Sequence, residues 1–313
     1  MDVQYVFIEP WTTEFSNTIW IYLMGFFVAS ACGLVGNYLI LRRMALVGDA
    51  ISHSVLPGLA VAFLLSHSRQ TWTMFLGAML AGIVTTLLIE VIHSKSRVKQ
   101  DAAIGIAFSS LFAIGVILIS VFASKVDLDQ ECVLYGEIEY VASDLPVLIG
   151  STVIGPAAVV RMAGVLLGTV ILIVLFYKEL LVSSFDKGLA LSLGVNSTVV
   201  HYALMATLSI VVVSAFESVG AILVIAMLII PGATAYLLTD RLPTMMVITV
   251  IHSALSALMG IHLARWWSNS ATAGAMVVSA SILFALAWVF SPRHGLIRRY
   301  LKVKVLTPEP ESI

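Results

Sequence analysis

Long apolar runs constrain this chain more than any other feature. Nine stretches of membrane-span length recur along it, at 17–41, 47–66, 72–92, 102–124, 162–177, 198–214, 221–238, 244–263 and 272–290. A helix of about twenty apolar residues crosses the hydrocarbon core of a bilayer. A backbone in lipid must satisfy its own hydrogen bonds, so it crosses as a helix or a closed barrel. Composition points the same way: of 313 residues, 60% are hydrophobic and 11% charged, and the mean hydropathy is +1.03. A soluble domain carries roughly 25% charged residues. The chain is therefore read as an all-α integral membrane protein, a polytopic bundle of about nine transmembrane helices. Eight to ten are allowed by the ambiguous stretches at 145–160 and 214–220.

Charge orients the bundle. Residues 1–16 carry Asp2, Glu9 and Glu14 and no Lys or Arg, unlike the positive leading region of a secretory signal. This segment is expected to be retained and to lie outside the cytoplasm. With the N-terminus outside, thirteen of the seventeen Lys and Arg residues fall on inner segments, as the positive-inside rule requires. They are Arg42, Arg43, Lys95, Arg97, Lys99, Lys178, Lys187, Arg241 and the five of a basic tail at 291–313. Arg69, Lys125 and Arg265 fall outside, with Arg161 near the outer boundary. The expectation is a multi-pass protein of the cell membrane with its C-terminus cytoplasmic.

Within this apolar frame the stretch from Arg42 to Gly58 is exceptional. It begins with two cations and then places Asp49, Ser52, His53 and Ser54 inside a span. In a helix, Asp49 and His53 are four residues apart and share a face. A carboxylate and an imidazole there can both ligate a transition-metal ion, and ionisable groups inside a span mark an ion or substrate path. The competing reading is that Asp49 caps the span and His53 only packs. Pro57-Gly58 is expected to bend or break the helix.

Arg42-Arg43-Met44, Leu46-Val47-Gly48-Asp49-Ala50 and Ser52-His53-Ser54 together resemble the metal-importing ABC permease family, as does the block from Met227 to Ala235. The resemblance implies a dimeric importer permease for manganese, zinc or iron, paired with itself or with a paralogue. It further implies separate cytoplasmic ATP-binding subunits and an extracytoplasmic metal-binding protein that delivers the ion. The Ala190 to Gly194 spacing resembles the coupling segment of such permeases. That makes the amphipathic stretch at 184–194, with Phe185, Asp186, Ala190 and Gly194, the candidate docking element for the ATPase. Asp49 and His53 become the candidate metal ligands, with Glu217, His252 and His201 as further candidates.

Other features are quieter. No Gly-x-x-x-x-Gly-Lys-Ser/Thr motif is present, so ATP hydrolysis is expected on another chain; the protein is a transport subunit and not an enzyme. No permanently bound cofactor and no nucleic-acid partner are expected. Cys32 lies in an apolar run and Cys132 in a polar loop, with no disulfide framework or zinc knuckle. The stretch 125–144 carries Asp127, Asp129, Glu131, Glu137, Glu139 and Asp144 against the single Lys125. It is either a solvated outer loop or an acidic face that guides cations. The proline-broken stretch 145–160 is expected to be a short re-entrant or interfacial helix. Two other readings share the bilayer: an ABC permease for a metal chelate or vitamin, and a proton-coupled secondary transporter. The Asp-His pair argues against the first, and the segment at 184–194 against the second.

Overall fold

The computed structural model describes residues 3–66, 71–122, 138–149, 152–267, 270–291 and 295. Two short helices, α1 (Val3–Phe7) and α2 (Glu9–Thr12), precede α3 (Phe15–Leu41), α4 (Val47–Ser66), α5 (Thr71–Lys95) and α6 (Gln100–Phe122). A 3-10 turn (Ile138–Ser143) leads into β1 (Pro146–Ile149) and β2 (Thr152–Pro156). Then come α7 (Ala157–Leu175), α8 (Tyr177–Phe185), α9 (Lys187–Ser192), α10 (Ser197–Leu238), α11 (Leu242–Trp266) and α12 (Thr272–Phe290). Among the described residues nine helical spans are long and apolar enough to cross a membrane. Each of the nine apolar runs falls on one of them, so the all-α polytopic architecture stands.

α3 is the central helix. From Val28 to Leu39 every residue is buried, including Tyr38 and Leu39 at 0% exposure. It packs on α10, α11 and α7. The approach to α10 is very close: a Cβ at Gly36 would lie 1.8 Å from the Leu228 carbonyl oxygen. In a bilayer, where lipid is as apolar as leucine, such close contact drives helix association. α5 and α6 lie at the periphery, with Leu80, Val84 and Val91 on one and Ile114, Ile117 and Val121 on the other exposed. Apolar residues facing outward are what a helix in lipid requires.

α10 contains two spans. A straight helix of its 42 residues would be about 63 Å long, twice the hydrocarbon thickness. It reverses instead at Gly220, whose φ of 76° and ψ of 167° are non-helical. The first half runs antiparallel to α5, with His201 beside Glu90 and Ser209 beside Met79. The second half runs alongside α3 in the same direction, with Met227 near Gly33 and Gly232 near Asn37 and Ile40. The interruption expected at 215–220 is this turn.

One expectation is corrected. Residues 145–160 hold an antiparallel hairpin and the start of α7, with Pro146 opposite Pro156 and Ile149 opposite Thr152. The sequence Pro-Val-Leu-Ile-Gly-Ser-Thr-Val-Ile-Gly-Pro is rich in β-branched residues and bounded by prolines, which favours a short strand pair over a helix. Beside it, two acids of the 125–144 stretch serve as helix caps. Glu139 accepts from the Thr272 backbone N–H (3.0 Å) and Oγ1–H (2.9 Å) at the start of α12. Asp144 accepts from the N–H groups of Leu145 (2.8 Å) and Ala158 (2.9 Å) at the start of α7. Asp127, Asp129, Glu131, Glu137 and Cys132 lie outside the described residues, as do Arg293, Arg298, Arg299, Lys302 and Lys304 of the tail.

At the same end of the bundle, α1 and α2 are clasped to α11. Trp11 Nε1–H donates to His262 Nε2 (3.4 Å), and His262 Nδ1–H donates to the Val6 carbonyl (2.9 Å). The Phe7 ring stacks on His262 at 5.1 Å, and Arg265 pairs with Glu14.

Candidate functional site

The first turn of α4 sets up the site. Gly48, Ile51, Ser52 and Val55 are buried against neighbouring helices, while Asp49, His53 and Leu56 form a half-exposed stripe at helical spacing. The serines turn their hydroxyls inward: Ser52 Oγ–H donates to the Gly48 carbonyl (3.0 Å) and Ser54 Oγ–H to that of Ile51 (3.0 Å). Thr85 of α5 in turn approaches Ser54 at 2.6 Å. The two ionisable residues are left on the open side. His53 Nε2 lies 3.4 Å from Asp49 Oδ1, with side-chain exposures of 35% and 41%. Among the described residues, Asp49 accepts no backbone N–H; its contact is the His53 ring. That ring is oriented by two aromatics of α6, Phe108 at 5.0 Å and Phe112 at 6.0 Å, the latter edge-on.

α4 continues as helix through Pro57, so the expected break is absent. What proline removes is one hydrogen bond: it has no N–H to give to the carbonyl four residues earlier, which belongs to His53. The freed carbonyl and the imidazole therefore sit on one residue. Pro57 is buried and packs on α6, where a Cβ at Gly115 would lie 2.8 Å from the proline nitrogen. Among the described residues, no three His, Cys, Asp or Glu side chains converge to hold a metal ion. Asp49 and His53 are a pair and not a complete shell.

A second ionisable cluster forms where α3 ends. Arg42 Nη2–H donates to Ser183 Oγ (2.8 Å) and Nε–H to Ser184 Oγ (3.1 Å), both on α8. Nη1 lies 3.4 Å from His201 Nδ1 on α10, and His201 Nε2 lies 3.5 Å from Glu90 Oε2 on α5. Burial lowers the Arg42 pKa from its ordinary value, with the Tyr38 phenol opposing, but a guanidinium keeps its charge in proteins. The cluster lines a cavity of about 360 Å³ that also touches His93, Gln100 and Phe185. His201 thus belongs with Arg42 and not with the Asp49–His53 pair. His252 is separate again, buried on α11, a helix packed mainly on α3, α10 and α12. Glu217 sits at the turn of α10; its side chain lies outside the described part of the structure.

The stretch expected to form one amphipathic helix at 184–194 is two. Asp186 is extended (φ −147°, ψ 105°), and its carboxylate accepts from the N–H groups of Gly188 (2.8 Å) and Leu189 (3.0 Å), capping α9. This Asx cap ends α8 at Phe185 and starts a new helix. α9 ends at Gly194, whose φ of 79° is left-handed. Val195 N–H reaches the Ala190 carbonyl (2.9 Å) and Gly194 N–H that of Leu191 (3.0 Å), the paired bonds of a Schellman motif. Ala190 is fully buried, whereas Phe185, Leu189, Leu191 and Leu193 are each at least 50% exposed. An exposed apolar cluster of this kind is suited to contact with protein or with lipid. Ser183 and Ser184 were not singled out by sequence reasoning, and the three leucines entered only as part of the amphipathic stretch; the alternation of leucine with small residues from 189 to 193 was the leucines' signal.

The α3–α4 connection is closed by the same motif. Met44 N–H reaches the Leu39 carbonyl (2.8 Å) and Arg43 N–H that of Ile40 (3.0 Å). Here the left-handed position is held by Arg43 (φ 59°), which costs a side-chain-bearing residue about 1–2 kcal/mol. Val47 N–H to Met44 (3.1 Å) and Ala50 N–H to Leu46 (3.2 Å) carry the hydrogen bonding straight into α4.

The profile of the ABC 3 transport family matches residues 14–291. The manganese transport system membrane protein MntD of Bacillus subtilis is 46% identical over 90% of this chain and 95% of its own length. The zinc transport system membrane protein TroD of Treponema pallidum is 42% identical over 92% of this chain and 78% of its own. A solved structure described as PsaBC from Streptococcus pneumoniae in complex with Fab superposes with a TM-score of 0.76 at 34% identity. It covers 95% of this chain and 98% of that one.

Proposed function

We propose, from the premise that this chain belongs to the ABC 3 transport family, that it is the membrane permease of an ATP-driven importer for a divalent transition-metal ion. The observation that carries the reading is the Asp49–His53 pair, half-exposed on α4 within an apolar span. A carboxylate there faces lipid, a partner or an ion, and lipid is by far the costliest of the three. Two ligands leave a shell of four to six incomplete. A second permease chain, a copy or a paralogue, would cover this face and bring a second pair towards a common axis. The freed His53 carbonyl and water would complete the coordination. An incomplete protein shell suits a cargo that must leave as well as enter.

Oxygen and imidazole ligands suit manganese, iron and zinc alike. Manganese is placed first, in keeping with the name of the 46%-identical relative, with zinc and iron after it. The exposed leucines of α9 and Phe185 would seat a cytoplasmic ATP-binding subunit on each permease, and an extracytoplasmic binding protein would deliver the ion. The N-terminus would lie outside and the tail inside, following the Lys and Arg distribution.

Uptake of all three ions in cells with and without this chain tests the proposal. A loss confined to one ion identifies the cargo, and unchanged uptake of all three overturns the reading. Orientation is checked separately with Ser143→Cys and Ser312→Cys in a cysteine-free background. A membrane-impermeant thiol reagent should modify position 143 in intact cells and position 312 only after lysis.

A further inference from the structure

We propose that Arg42 is the positioning residue that passes movement of the ATPase-facing helices to the Asp49–His53 site. The proposal rests on the reading of α8–α9 as the docking segment and identifies how that segment reaches α4. Arg42 is fixed by partners on two other helices. A guanidinium can only donate, so His201 Nδ1 must accept from it. That places the His201 proton on Nε2, where it points at the Glu90 carboxylate 3.5 Å away. Ser183 and Ser184 turn their own protons to the Leu180 carbonyl, at 3.3 and 2.6 Å, and present lone pairs to Arg42. One arrangement of protons serves each of these contacts, from the Glu90 carboxylate through imidazole and guanidinium to two hydroxyls on α8.

On its other side Arg42 is joined to α4 by a stiff elbow. Left-handed Arg43 and the bonds of Met44, Val47 and Ala50 tie the end of α3 to the first turn of α4. Asp49 lies in that first turn. The cavity of about 360 Å³ beside the guanidinium leaves α8 room to shift. When it does, the two serines pull on Arg42, and the elbow turns Asp49 and His53 relative to α6. Lysine cannot serve here, because its ammonium is a point charge without the planar fork that reaches both serines and the imidazole at once.

The test uses the complete transporter, with its ATP-binding subunits, in proteoliposomes. Metal binding without ATP, ATP hydrolysis and metal uptake per ATP are measured for Arg42→Lys, Arg42→Ala, the double variant Ser183→Ala/Ser184→Ala, Asp49→Asn and Gly194→Leu. Arg42→Lys should bind metal and hydrolyse ATP as the parent does, and the double serine variant should bind metal as the parent does. Uptake per ATP should fall roughly tenfold, the order of a typical coupling between two sites. A merely structural role would lower binding, hydrolysis and uptake together. If Arg42→Ala does not assemble, the serine variant decides, since it removes only two oxygens. A parental ratio of uptake to hydrolysis in both Arg42→Lys and the serine variant overturns the proposal. If Asp49→Asn and Gly194→Leu are impaired at the same time, the metal site and the docking segment stand without it. Full transport by Asp49→Asn and Gly194→Leu would instead remove the underlying reading.

Discussion

Among the described residues are two histidine–carboxylate pairs of nearly equal geometry: His53 with Asp49 at 3.4 Å and His201 with Glu90 at 3.5 Å. Their surroundings make them chemically opposite. Around His201 a guanidinium takes the free ring nitrogen, the serines of α8 complete that guanidinium, and a fixed positive charge stands where a cation would bind. Around His53 the neighbours are the faces and edges of Phe108 and Phe112, which fix the ring without neutralising the carboxylate. One pair is closed to cations and the other is open to them. The identity of a site therefore lies less in the pair than in the third group brought to it.

The largest effects should come from the open pair. Asp49→Asn keeps the size and any capping role of the side chain and removes its charge, and His53→Ala leaves Asp49 in place. Each variant should reach the membrane, assemble with the ATPase and lose metal uptake by roughly a hundredfold or more, which corresponds to about 3 kcal/mol for the removal of one of two protein ligands. Near-normal radiometal uptake by both would reduce the pair to a helix cap and a packing residue. Next come the docking-segment variants, which disturb drive and leave binding intact. Ala190→Asp buries a carboxylate in a fully enclosed position, and Gly194→Leu forces a side chain into a left-handed backbone. Both should continue to hydrolyse ATP with uptake reduced about tenfold; normal transport by both would show that α9 does not couple.

The closed pair should respond less, and differently. His201→Ala removes one long hydrogen bond from Arg42, a loss of about 1 kcal/mol or roughly fivefold in coupling. Metal affinity should stay within about twofold of the parent, because the Nδ1 of this imidazole already faces the Arg42 guanidinium, whose fixed positive charge repels a cation. Isothermal titration of the parent and variant complexes separates the two pairs directly. A large loss of metal affinity in His201→Ala would erase the contrast.

The open pair was legible because it is local: two ionisable residues four apart in an apolar run betray a shared face with no knowledge of the fold. The bilayer made the nine spans equally legible, since twenty apolar residues in lipid have few other choices. The closed cluster joins residues 141 and 159 positions apart. Arg42 read as an orienting charge and as part of the family-like motif, and His201 as a candidate ligand, because spacing says nothing about what folding brings to them. The hairpin at 146–156 was misread for a related reason. Prolines were taken as irregularities in a helix, whereas they bound a short strand pair whose cross-strand hydrogen bonds leave no mark in hydropathy. Asp186 shows the finest grain: a single carboxylate accepting two N–H groups divides one expected helix into two.

The smallest expected effect lies in the two helix ends that frame the coupling path. α3 and α9 finish with the same pair of backbone hydrogen bonds, yet one places Arg43 in the left-handed position and the other Gly194. In Gly194→Ala the added Cβ meets open space, with no atom within 4 Å, so the penalty is backbone strain of about 1–2 kcal/mol, offset by the roughly 0.5–1 kcal/mol of unfolded-state freedom that alanine removes. Arg43→Gly reverses both terms, relieving strain of that size and gaining that freedom, for a net stabilisation of at most about 1.5 kcal/mol. The two substitutions should therefore shift thermal unfolding of the detergent-solubilised chain in opposite directions by comparable amounts. If Arg43→Gly lowers the unfolding temperature instead, the Arg43 side chain contributes more than its exposed position indicates. The elbow would then be held by that side chain, and not by the backbone bonds of Met44 and Arg43 alone.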